Sequence, residues 1–146
     1  MRAVIQRVLS ASVRVDGETV GAIHEPGLLV YLGVTRGDGP AEIALTARKI
    51  WDLRLLREER SLSDVGAPVL VVSQFTLYGD ARKGRRPTWQ AAAPGPVSEP
   101  AYDAVCADLE RLGAHVERGR FGADMQVAST NDGPITLVID SSPTGL

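Results

Sequence analysis

Four consecutive residues, Ser73, Gln74, Phe75 and Thr76, stand where an apolar run ends, and three of them carry groups able to do chemistry. Val69 to Val72 is unbroken and rich in β-branched valine, the pattern of a buried central strand. A hydroxyl, an amide and a second hydroxyl then follow without an intervening Gly or Pro. Burying such groups costs roughly 1–3 kcal/mol each unless they find partners. Two readings follow: polar groups satisfied by neighbours near a strand end, or a strand end that holds and activates a substrate. A second cluster is basic. Arg82, Lys83, Arg85 and Arg86 surround Gly84, and Trp89 follows closely. Charge runs are usually solvated surface. The same donors suit a phosphate backbone, and an aromatic beside them can stack on a base. Cys106 falls beside the apolar stripe of a helix and reads as a packed thiol. His24 and His115 lie far apart with no ligand spacing, so no metal site is expected.

The elements that must position these groups can be read in order. Ala3–Val8 and Ala11–Val15 read as two strands joined at Ser10, and Asp16-Gly17 signals a hairpin to a strand over Glu18–Ile23. Pro26-Gly27 turns the chain into an apolar strand, Leu28–Val34. Pro40 suits the first turn of a helix over Ala41–Leu53, with Ile43, Ala44, Ala47, Ile50 and Trp51 on one face and Trp51 in the core. Leu53–Leu56 is expected as a short strand before a charged turn at Arg57–Arg60. Ala91–Pro100 reads as a loop, and a second helix spans Ala101–Leu112, its inner stripe Tyr102, Val105, Leu109 and Leu112 and its stop Gly113. Val116–Arg118, Met125–Ser129 and Ile135–Ile139 read as strands, the last two separated by the dense turn signal Asn131-Asp132-Gly133-Pro134. The expected fold is α+β: a curled, antiparallel-rich sheet or barrel with two helices. It forms a single domain over residues 1–140, with 141–146 a flexible tail.

Composition bounds the rest. At 146 residues the chain suits one core. A net charge of −2 excludes a generally basic nucleic-acid coat but leaves room for a local patch. A single cysteine excludes an internal disulfide and a multi-cysteine metal site. The start MRAVIQRV has no long apolar segment of the signal-peptide kind, and no run approaches a membrane-spanning length, so a cytoplasmic protein is expected. There is no Gly-rich phosphate loop with a following Lys, no nucleophile elbow and no HExxH.

Two motifs taken together go further. SQFTL, Ser73 to Leu77, and NDGPIT, Asn131 to Thr136, resemble the two signature motifs of the D-aminoacyl-tRNA deacylases. IQRV with Arg7, RRP before an aromatic, and GRFGADMQV from Gly119 to Val127 match as well, in the family's order. The chain departs from the pattern between Leu56 and Gly66, where a Gly-Lys-Met-Asn run is missing. It also departs at Trp89, where Phe is commoner, and after Asp140.

The resemblance implies hydrolysis of the ester joining a D-amino acid to the terminal adenosine of tRNA, with glycyl-tRNA also cleaved and no cofactor or metal. It implies a homodimer in which a cis Gly133-Pro134 peptide reaches into the partner's site and leaves no room for an L side chain, with Arg7 supporting that segment. Without the resemblance a cis bond would not be expected, since only about 5–6% of X-Pro bonds adopt it. Phe121 and Met125 would line the adenine pocket, and Arg82, Lys83, Arg85 and Arg86 would meet tRNA phosphates. Two catalytic assignments stay open. In one, the Phe75 and Thr76 amides form an oxyanion hole, Ser73 and Gln74 position the adenosine, and a ribose hydroxyl helps activate water. In the other, the Thr76 hydroxyl is a covalent nucleophile. A non-enzymatic RNA-binding module of the same fold is the rival class.

Overall fold

A computed structural model describes residues 1–141. Its frame is a six-stranded mixed sheet, nearly closed into a barrel, with three α-helices. The first strand, β1 (Arg2–Val15), is continuous. The expected break at Ser10 is instead a register shift, and one long strand serves three neighbours. Its first half pairs antiparallel with β3 (Gly27–Gly33), its second half with β2 (Glu18–Ile23), and nearly its whole length with β6 (Gln126–Asp140). The β1–β2 hairpin turns on Asp16 and Gly17, both at positive φ (50° and 79°), as a tight turn matched to strand twist requires. β4 (Val69–Ser73) lies parallel to β3 on one side and to the short β5 (Val116–Arg118) on the other. The curl brings β5 against β2: a Cβ at Gly21 would sit 2.2 Å from the Arg118 carbonyl oxygen, so only glycine permits the approach.

The continuous apolar run in β4 has a direct cause. Val69 and Val71 face a core shared with β3 and the helices, while Leu70 and Val72 face a second core inside the curl. With both faces buried, every position must be apolar.

The helices differ from expectation in number and extent. Helix α1 (Pro40–Asp52) begins on Pro40, and the Glu42 carboxylate accepts the Gly39 N–H at 2.8 Å. Thr46, Ala47 and Ile50 are its buried residues; Ala44 is exposed, and Trp51 packs at the edge of the core. No strand forms over 53–56. Leu56 makes only an isolated bridge to Arg60, which closes a 3₁₀ turn over Arg57–Glu59. A third helix, the one-turn α2 (Leu62–Val65), follows. Ser61 and Asp64 cap it reciprocally, and Gly66 ends it in the left-handed region. Helix α3 (Gly95–Leu112) starts six residues before the expected position, with a proline in its first turn and Pro100 inside it. The Ser98 hydroxyl, within the helix, donates to the Pro94 carbonyl at 3.2 Å. Tyr102, Val105 and Leu109 are buried along α3, whereas Leu112 is exposed at its end.

The two strands expected around Asn131–Pro134 are one 15-residue strand, β6, interrupted by an extruded turn. Asp140 ends β6 and pairs with Arg2 at 2.9 Å, and Ser141 bonds back to the Met1 carbonyl. The flexible tail expected from 141 on lies, beyond Ser141, outside the described residues. No described helix is long and apolar enough to cross a membrane.

Candidate functional site

A cavity of about 430 Å³ opens at the end of β4. Ser73, Gln74 and Phe75 form one wall, and Phe121, Gly122, Ala123 and Met125, from the chain after β5, form another. The start of α3 and the segment before it (Ala92 to Gly95, then Ser98 and Tyr102) close the far side. Sequence reading missed this third wall because it took 91–100 for a loop. Pro96 in the first turn of α3 was the available signal.

The strand end is shaped by its backbone. The Gln74 N–H still donates to Leu32 O at 2.8 Å, continuing the parallel ladder with β3. The chain then turns into a 3₁₀ helix over Phe75–Tyr78. The first N–H groups of such a turn have no partner within it, and Phe75 and Thr76 are its first two residues. The Thr76 hydroxyl accepts a hydrogen bond from the Gln74 side-chain amide and does not line the cavity. Phe75 is exposed and meets Trp89 edge to face, ring centroids 5.5 Å apart, at the cavity mouth. Trp89 in turn packs on Gly79, where a Cβ would come within 2.6 Å of the indole.

On the opposite wall Phe121 tilts against Tyr102 at 6.0 Å. The Tyr102 hydroxyl donates to Val71 O at 2.8 Å, tying α3 to β4, and burial raises its pKa. Cys106 is buried, and burial pushes its thiol up to about 11, which makes it a poor nucleophile. Neither histidine lines the cavity, and His115 sits 3.4 Å from Glu117 on the exterior. Among the described residues no group of three His, Cys, Asp or Glu side chains gathers as a metal site would require.

Gly133 and Pro134 are not part of this cavity; both are exposed elsewhere on the surface. Gln6 of β1 pairs with Thr136 and Val8 with Asn131, so Asp132 to Ile135 bulge out opposite the single residue Arg7. Asn131 pins the neck. Its amide nitrogen donates to Arg7 O (2.9 Å) and Ile135 O (3.0 Å), and its oxygen accepts from Thr136 Oγ1 (3.2 Å). Gly133 has φ +109°, and the Gly133–Pro134 peptide is cis. The Arg7 guanidinium lies under the turn: Nε donates to Asp132 O at 3.2 Å, and Nη2 would be 2.6 Å from a Cβ at Gly133. Sequence reading did not anticipate the second arginine here. Arg57 engages both carboxylate oxygens of Asp132, at 3.1 and 2.7 Å, and holds that carboxyl below the usual carboxylate range.

The basic residues stand on an exposed loop closed by a bridge between Asp80 and Thr88. Arg82 folds back onto Asp80 at 2.6 Å, while Lys83, Arg85 and Arg86 make no ion pair among the described residues. The loop does not line the cavity but leads directly into Trp89 at its mouth.

This arrangement has close relatives. The chain is 68% identical over 140 residues to the D-aminoacyl-tRNA deacylase of Thermobifida fusca, covering 96% of this chain and 99% of that one. It is 63% identical over 141 residues to the D-aminoacyl-tRNA deacylase of Kineococcus radiotolerans, covering 97% and 100%. A solved structure described as c-Myc DNA Unwinding Element Binding Protein superposes with TM-score 0.91 at 38% identity, covering 98% of this chain and 99% of that one. A structure of a probable eukaryotic D-amino acid tRNA deacylase shares the fold at TM-score 0.80 and 17% identity, covering 94% and 97%. The family model for D-Tyr-tRNA(Tyr) deacylase matches residues 4–140, a span that takes in both the cavity and the extruded turn, and the chain belongs to that family.

Proposed function

We propose that this protein hydrolyses the ester between a D-amino acid and the terminal adenosine of tRNA, and that a second copy of the chain completes its site. The observation that carries this reading is the separation of the two motif regions. Ser73 to Phe75 wall the cavity, while Gly133-Pro134 of the same chain is exposed outside it. A turn held so firmly by Asn131 and Arg7 has a use if it enters the cavity of a partner.

In this reading Phe121 and Met125 hold the adenine, Ser73 and Gln74 position the adenosine, and the Phe75 and Thr76 amides stabilise the developing oxyanion. A ribose hydroxyl helps activate the attacking water. The Thr76 hydroxyl, engaged by the Gln74 amide and absent from the cavity lining, supports main-chain donors over a covalent nucleophile. The partner's turn grips the substrate α-amino group and excludes an L side chain, while a D side chain points away. Glycine has nothing to exclude, so glycyl-tRNA mischarged on tRNA(Ala) is also cleaved. Lys83, Arg85 and Arg86 meet the phosphates of the acceptor end, and the reaction takes place in the cytoplasm without a cofactor.

Deacylation of matched D- and L-tyrosyl-tRNA, with glycyl-tRNA alongside, tests this. The expected result is hydrolysis of the D and glycyl esters with the L ester spared. Cleavage of D-tyrosyl-tRNA with the glycyl ester untouched would sink the steric account. Binding of all three without turnover would favour a nucleic-acid-binding module.

A further inference from the structure

We infer that Arg57 and Asp132 form an ionic brace that sets the angle at which the Gly133-Pro134 turn leaves β6, and so act as positioning residues for rejection of L-aminoacyl esters. The inference rests on the function proposed above but concerns two residues to which that reading gives no role.

Asp132 is the first residue of the bulge, and everything beyond it follows its backbone direction. It is gripped from two sides. Arg7 reaches its carbonyl oxygen and one carboxylate oxygen, each at 3.2 Å. Arg57 takes both carboxylate oxygens in a bidentate pair, the geometry that fixes orientation as well as charge. A single contact would leave the carboxylate free to swivel; three converging ones do not.

Arg57 is itself held by an unusual backbone. Its 3₁₀ turn carries Glu58 at φ 62° and Glu59 at φ 54°, left-handed conformations that residues with side chains rarely adopt. The Leu56 N–H bonds to Arg60 O at 2.9 Å and shuts the turn, and Arg7 also reaches Leu55 O at 3.5 Å. This closed turn places the Arg57 guanidinium against the Asp132 carboxylate. Arg57 lines no part of the cavity and its side chain is 69% exposed, so it reaches the reaction only through Asp132.

The test compares Arg57→Ala and Arg57→Lys with the wild-type protein, measuring kcat/KM on D- and L-tyrosyl-tRNA and the melting temperature of each. The side chain is exposed, so both variants should fold with melting temperatures close to wild type. Arg57→Ala is expected to lower the D-to-L ratio at least about threefold, the upper part of the range for an exposed ion pair. The fall should come from increased L hydrolysis, and Arg57→Lys should recover part of it. An unchanged ratio in Arg57→Ala, or equal losses on both esters, overturns the brace. A wild-type protein that cleaves both esters alike would instead overturn the chirality reading on which the brace depends.

Discussion

Thr76 offers the hydroxyl that a covalent mechanism would need, yet that oxygen is already an acceptor for the Gln74 amide, and Thr76 is not among the residues that line the cavity. No histidine stands in the cavity to take its proton, and the buried Cys106 and Tyr102 have raised pKa values, which suits neither to act as a base near neutrality. Thr76→Ala is therefore expected to keep its deacylation rate within about tenfold of wild type, whereas removing a true nucleophile costs on the order of 10⁴ or more. Single-turnover kinetics on D-tyrosyl-tRNA would decide, and complete loss of turnover with tRNA binding intact would restore the nucleophile. Asn131 teaches a different lesson at the same scale. One side-chain amide ties the neck of the bulge to the Arg7 carbonyl of β1 and to the Ile135 carbonyl at its far end, and pairing with β1 resumes at Thr136, so the turn signal marks an extrusion from a continuous strand rather than its end.

At the scale of elements, the 3₁₀ turn after β4 and the loop after it divide the work. Phe75 of the turn lines the cavity, and the loop carries charge beside it. Arg82 is paired with Asp80, whereas Lys83, Arg85 and Arg86 make no ion pair among the described residues. An Arg85→Ala, Arg86→Ala double variant should weaken tRNA binding and flatten the plot of log K against log salt by about 0.7 per lost contact with single-stranded nucleic acid. Filter binding across a salt series reads this directly, and an unaltered slope would remove these cations from the interface. The helix α3 shows how element boundaries slip. Proline-rich residues 94–100 resemble a loop, but a proline in the first turn costs no hydrogen bond there.

At the scale of the molecule, β6 is incompletely covered. Among the described residues it pairs with β1 alone, Ala128, Ser129 and Thr130 are exposed in succession, and Ile135 and Val138 are exposed apolar residues. A long unpaired edge of this kind invites another strand. In the proposed assembly a second copy covers it and delivers Gly133-Pro134. Val138→Asp should shift the protein from dimer to monomer in analytical ultracentrifugation and abolish deacylation together with it. A monomeric variant with full activity would show that one chain contains the whole site.

What the sequence determined by itself was local: the strands β2, β3 and β4, the Asp16-Gly17 turn, the start of α1, the stop of α3, and the two motifs that name the family. These are set by continuous apolar runs, by proline and glycine geometry, and by groups adjacent in the chain. α2 was within reach too, since Ser61 and Asp64 form a capping box at the expected spacing. Tertiary structure decided the rest. It joined the Ser73–Phe75 wall to Phe121 and Met125 across the sheet, left Thr76 out of the cavity, and set Arg57 on Asp132, 75 positions along the chain. The polar strand end read from the sequence is one wall of a cavity, and Gly133-Pro134 is carried away from that cavity by the register of β6 on β1. Register and curl depend on all the strands at once, so no local pattern could have specified where that turn would point.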